Sequence, residues 1–218
     1  DSRCPEALRT AFIVLCPQCP ESRCERGNQI WLREEGYESD YACDVELALF
    51  SLFQEIIRTC GVNRSRIVIS GVSMGSNACL ELAANWPNYF AAAVPAAAYY
   101  HKTCNLTPLV KSLTELQHLP MWFFHAQNDR ICPAKDIEVL VRQIRDHAQA
   151  DVWLTSYTDT WNPWFHDPEP VAFCSQPTFS SQPAWGDELF AWLLEQKCRE
   201  ARASCPPQHR SVPRHHLG

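Results

Sequence analysis

In the segment from Arg66 to Pro87, RIVISGVSMGSNACLELAANWP, two glycines flank one serine as Gly71-Val72-Ser73-Met74-Gly75. The chain spends only 7 glycines over 218 residues, so this pairing constrains the fold more than any other feature. The β-branched run Ile67, Val68, Ile69 before it reads as a short buried strand. After it, Ala78, Leu80, Leu82, Ala83 and Ala84 are good helix formers. Leu80 and Ala84 lie four apart on one face, and Pro87 stops the run. A strand that passes into a helix within two residues bends sharply at Ser73. The positions two before and two after then crowd each other, so a side chain is expected to clash at either glycine. The bend holds the serine hydroxyl exposed beside the N–H groups of a helix start. An ordinary loop is the competing reading of the five residues; the flanking strand and helix favour the bend.

Composition limits the alternatives. A hydrophobic content of 46% supplies a core, and no linker interrupts the chain. One domain over residues 1–198 is expected, followed by a disordered tail over 199–218 that carries two adjacent prolines and no apolar periodicity. A net charge of -6 argues against a nucleic-acid partner, which needs a positive surface. No apolar run is long enough for a membrane span. Twelve cysteines pull two ways. Their even count and the sequons Asn63-Arg64-Ser65 and Asn105-Leu106-Thr107 suit a secreted protein. Cys16, Cys60 and Cys79 fall on apparent core elements and read as buried free thiols, which favours the cytoplasm. Cys16-Pro17-Gln18-Cys19 has no second cluster at finger-like spacing, so no metal is expected.

The remaining pattern alternates strands with helices. Ala11 to Leu15 (AFIVL) reads as a buried strand closed by Pro17, and Cys43 to Ile57 as a helix buried over much of its circumference. Strands are expected in YFAAAVPAA, in PMWFFHA from Pro120 to Ala126, and in DVWLTSY from Asp151. Amphipathic helices are expected over Asp136 to His147 and Asp187 to Gln196. Such alternation predicts an α/β fold with a parallel sheet covered by helices on both faces.

Strand, Gly-x-Ser-x-Gly, helix is the pattern of a nucleophile elbow. A serine nucleophile needs a histidine to take its proton and a carboxylate to orient that histidine, in the chain order Ser, acid, His. Asp129, in HAQNDRICP, follows the strand of Met121 to Ala126 and is the candidate acid; a turn-forming aspartate is the alternative. Asp136 belongs to the next helix and points elsewhere. Of eight histidines, His101, His118 and His125 precede Asp129, His147 ends a helix and three lie in the tail. His166, in TWNPWFHDPEP, is left as the candidate base, with a surface-loop histidine beside Asp167 as the alternative. Trp161 and Trp164 in the same loop could wall an acyl or aromatic pocket.

From Ala11 to about Leu194 the chain resembles the α/β-hydrolase superfamily. It is most similar to phospholipase/carboxylesterase and dienelactone-hydrolase-like serine esterases, through FIVLCPQCP, NRSRIVISGVSMGSNACLELAANWPNYFAAAVP and PMWFFHAQNDRICP. The resemblance implies Ser73 as nucleophile, Asp129 as acid and the Met74 N–H as an oxyanion donor. Two departures accompany it. The usual Gly-His pair is replaced by DTWNPWFHD, where Asn162 competes with His166 for the position. The sequence starts too late to contain the N-terminal strand ending in a His-Gly-Gly-type turn, source of the second oxyanion N–H, so the fold is expected to lack its N-terminal strands. Three readings stay open: the chain is a fragment, Gln18 and its neighbours supply a substitute donor, or the protein is an impaired enzyme.

The resulting expectation is a serine carboxylesterase acting on a small-molecule ester through an acyl-enzyme, without a cofactor. The rival is a non-catalytic or impaired binding protein of the same fold. A prolyl-oligopeptidase-like peptidase would share the triad but lacks a propeller domain here.

Overall fold

A computed structural model describes residues 10–18, 41–86, 88–98, 116–127, 129, 132–157 and 187–198. Helix α1 spans Tyr41–Cys60, and strand β1 spans Val68–Val72. Between them a short 3₁₀ turn at Arg64–Arg66 is capped by the Asn63 side chain, which accepts the Ser65 N–H. Helix α2 (Met74–Asn85) and strands β2 (Ala92–Ala96) and β3 (Met121–Ala126) follow. Helix α3 (Ala134–His147), strand β4 (Val152–Tyr157) and helix α4 (Asp187–Glu195) complete the described elements. The strands form one parallel sheet in the order β1-β2-β3-β4.

Side-chain alternation along the strands sorts the core into two layers. Ala93, Met121, Phe123 and Val152 face one way and pack against α2, α3 and Leu49 of α1. Ala92, Val94, Ala96 and Phe124 face the other way and pack against Leu189, Phe190, Trp192 and Leu193 of α4. Helices therefore cover both faces, as the alternating pattern predicts. In α3, Ile137, Leu140, Val141 and Ile144 recur at helical spacing and are all buried, each contributing about 1.5–3 kcal/mol. Strand β2, AAVPA, is completely buried, because its small side chains let α2 approach the sheet closely. Ala93 and Ala97 donate their N–H groups to Pro120 and Phe124 of the β3 side. Pro95, midway between them, has no N–H to give, and the β2–β3 register is bridged only at Ala93↔Met121 and Ala96↔Phe124.

Three expectations are corrected. Segment 11–15 is not a buried strand: Thr10 and Ala11 are helical, residues 12–18 have no regular structure, and Ile13, Val14 and Leu15 are exposed. A strand needs a neighbour for its N–H and C=O groups. Here a groove of about 600 Å³ separates Phe12, Ile13 and Leu15 from Val68, Ile69 and Ser70 of β1. Among the described residues, β1 is paired on one side only and is half-buried along its whole length, not fully buried. Second, α1 is less buried than its apolar content suggested. Leu49 and Ile57 are buried, whereas Leu47 and Leu52 are exposed, because α1 lies at that open margin of the sheet. Third, Cys79 is buried as expected, but Cys16 and Cys60 are exposed. Cys16 follows the unpaired segment and Cys60 sits at the last residue of α1, so neither is covered by a second layer.

Candidate active site

The parallel sheet brings the strand C-termini to one edge. Ser73 leaves β1, Ala97 leaves β2, and Asp129 follows β3 on the same side. Ser73 and Asp129 are thus separated by two strand spacings, about 10 Å across the edge before the loops bend.

Ser73 has φ 53° and ψ −118°, a left-handed conformation that costs a non-glycine residue of order 1–3 kcal/mol. Backbone contacts hold it there. Its N–H donates to the Ala96 carbonyl at 2.9 Å, and its carbonyl accepts the Ser76 and Asn77 N–H groups at 2.8 and 3.3 Å. Ser73 is the residue before α2, yet its side chain makes no capping hydrogen bond. The hydroxyl is therefore not used to stabilise the helix start. Ala97 is also left-handed, at φ 46°, so two adjacent strand exits carry strain at one edge.

The two glycines around Ser73 differ. A Cβ on Gly71 would lie 2.0 Å from the Gly75 carbonyl oxygen and 2.9 Å from the Ser76 nitrogen, so only hydrogen fits. A Cβ on Gly75 would meet nothing within 4 Å, which corrects the expectation that both positions exclude a side chain. The tight approach is between the Gly71 α-carbon and the first turn of α2; the Gly75 α-carbon faces open space.

Asp129 is buried, at 6% exposure. Its N–H donates to the Ala126 carbonyl at 3.2 Å, and its Oδ1 accepts the Cys132 N–H at 2.9 Å. The turn-forming role considered for this aspartate is therefore real. A carboxylate has several acceptor sites, so a turn-forming bond at Oδ1 does not by itself exclude a second partner. Asp136 lies in the first turn of α3, as expected.

One neighbour escaped the sequence reading. His125, on β3, is 3% exposed, and its Nε2 lies 2.7 Å from the Cys132 carbonyl oxygen. That carbonyl can only accept, so Nε2 carries the proton and Nδ1 is bare. Burial lowers the His125 pKa, opposed by the Cys132 bond and by the nearby charges of Asp129 and Glu138. Burial, and then Asp129, pushes the Cys132 thiol up to about 12. The available signal was the polar histidine closing the apolar strand MWFFHA four residues before the acid.

The other candidates divide in two. Met74 begins α2, so its N–H is one of the first-turn groups without a partner inside the helix. Gln18 is exposed at the end of segment 10–18. His166, Asn162, Trp161 and Trp164 lie outside the described residues, in the segment that follows β4. Among the described residues no group of three or more His, Cys, Asp or Glu could hold a metal. Among them, too, no helix is long and apolar enough to cross a membrane.

A parallel sheet covered by helices on both faces is an arrangement found in known structures. The chain is similar to a thermostable esterase with TM-score 0.53 and 23% identity, covering 69% of this chain and 36% of the esterase. It is also similar to a Klebsiella pneumoniae subsp. pneumoniae protein assigned to the dienelactone hydrolases, with TM-score 0.53 and 18% identity, covering 70% of this chain and 61% of that one. The fold is the α/β-hydrolase fold, and the chain spans from about a third to three-fifths of these proteins' lengths. No protein-family model and no curated protein matches the sequence.

Proposed function

We propose that the chain is a serine hydrolase of carboxylesterase type, cleaving a small-molecule ester through an acyl-enzyme. The observation that carries this reading is Ser73 at a strained strand-to-helix turn, its hydroxyl uncommitted to capping, at the edge that also holds Asp129. In this nucleophile elbow Ser73 Oγ attacks the ester carbonyl and His166 takes its proton. The Met74 N–H receives the developing oxyanion, and Asp129 orients the imidazolium. The alcohol leaves with the proton held on His166, and water, activated by the same imidazole, releases the acid. Trp161 and Trp164 wall the acyl pocket, and Gln18 is the candidate second oxyanion donor. No cofactor enters the scheme.

Fluorophosphonate labelling tests the reading without knowledge of the natural ester. Wild-type protein should be labelled and should hydrolyse p-nitrophenyl acetate, and Ser73→Ala should do neither while keeping its fold by circular dichroism. His166→Gln should cost about four orders of magnitude in kcat. Activity should also fall as pH drops through an imidazole value of about 6.5. Unchanged ester turnover in Ser73→Ala would sink the assignment. A folded wild-type chain that is never labelled would favour a non-catalytic binding protein of this fold.

A further inference from the structure

We propose that His125 is a positioning residue that holds Asp129 in place through Cys132. The proposal rests on the reading of Asp129 as the triad acid. Its basis is a two-bond relay with buried members. The His125 Nε2–H donates to the Cys132 carbonyl at 2.7 Å, and the Cys132 N–H donates to Asp129 Oδ1 at 2.9 Å. One peptide unit on either side of the Cys132 α-carbon is therefore fixed, by the imidazole on one side and by the carboxylate on the other.

The anchor suits the task. His125 sits on β3, whose backbone is paired to β2 and to β4, so its ring is carried by the rigid sheet and not by the loop it steadies. Its side chain is 3% exposed, Cys132 is 1% exposed and Asp129 is 6% exposed. Water therefore does not compete for the Cys132 carbonyl, and losing its donor leaves a buried acceptor unpaired. Nδ1 is buried with no partner among the described residues, so the ring is not recruited to a second polar contact. Burial also favours the neutral ring, which keeps Nε2–H as its one donor. A leucine or phenylalanine would satisfy the packing at this place but could not hold the carbonyl. Glutamine could, because its side-chain N–H₂ reaches about as far as Nε2.

The test combines His125→Phe and His125→Gln with Asp129→Asn, each assayed on p-nitrophenyl acetate and for the rate of fluorophosphonate labelling, with thermal melts. His125→Phe should lower kcat by about tenfold to a hundredfold with KM changed less than about twofold, as for a misplaced catalytic group. His125→Gln should recover most of that loss. In the Asp129→Asn background His125→Phe should change kcat by less than about twofold, because the group it positions is already gone. An equal loss in both backgrounds, or full activity in His125→Phe, would overturn the proposal. If His125→Phe fails to fold, the comparison rests on Gln: a Gln variant that folds as wild type yet loses kcat as fully as Asp129→Asn counts against it. Wild-type protein that is neither labelled nor active refutes the hydrolase reading itself. The ¹⁵N spectrum of the His125 ring then decides the relay. An exchange-protected Nε2–H supports it, and an Nδ1–H tautomer overturns it.

Discussion

At Ser73 three small facts combine: a left-handed backbone, a hydroxyl that does not cap the helix behind it, and Gly71 pressed beneath the first turn of that helix. The pattern Gly-x-Ser-x-Gly shows that a bend is required, but treats its glycines alike. The structure distinguishes them by direction, since only the Gly71 α-carbon points at backbone. Gly71→Ala should therefore destabilise the protein by about 3 kcal/mol or more, since the obstructing atoms are backbone and cannot rotate away. Gly75→Ala should be neutral or slightly stabilising, alanine being the better helix former. Urea unfolding of the two variants checks this; equal losses would mean that the bend is held in some other way. The place of Asp129 just beyond β3 was legible, because the apolar run of Met121 to Ala126 ends shortly before it. His125 was not, because chain order removes it as a base and sequence does not show that its ring reaches Cys132.

Elements with strong periodicity were legible almost to the residue. β3, β4, α3 and α4 lie within about two residues of their expected limits. What periodicity does not report is whether a strand finds a neighbour, and this is why AFIVL misleads and β1 is only half-buried. The asymmetry of β1 has a direct readout. The Ile67 carbonyl and the Ser73 N–H both bond toward β2, so the N–H groups of Ile69 and Gly71 face the same way. Those of Val68, Ser70 and Val72 face away from β2. In hydrogen exchange followed by NMR, Ile69 and Gly71 should be protected about as well as the interior of β2. Val68, Ser70 and Val72 should exchange markedly faster. Uniform protection along β1 would show that its outer edge is paired.

Across the molecule, buried ionisable groups make stability depend on pH in opposite directions at the two ends of the scale. The unfolded chain protonates His125 near the ordinary value of about 6.5, whereas burial lowers that value in the fold. Below about 6.5 the unfolded state binds more protons than the native state. Stability should therefore fall as pH drops from there toward the lowered native value, and this contribution should then level off. Cys79 acts the other way, because burial raises its thiol from 9.0 to about 12. As pH rises through that interval the unfolded thiol ionises and the native one does not, so stability should fall by up to about 1.4 kcal/mol per pH unit. Urea midpoints measured across pH test both arms, and Cys79→Ala should lose its own share of the alkaline slope while keeping the share of Cys132, whose buried thiol is also raised to about 12. The groove beside β1 carries a thermal consequence as well. Apolar side chains along it line open space, so unfolding hydrates less new hydrocarbon there than at a covered sheet edge. Calorimetry should accordingly find a small heat-capacity increment, and with it a flat stability curve whose loss on warming is gradual.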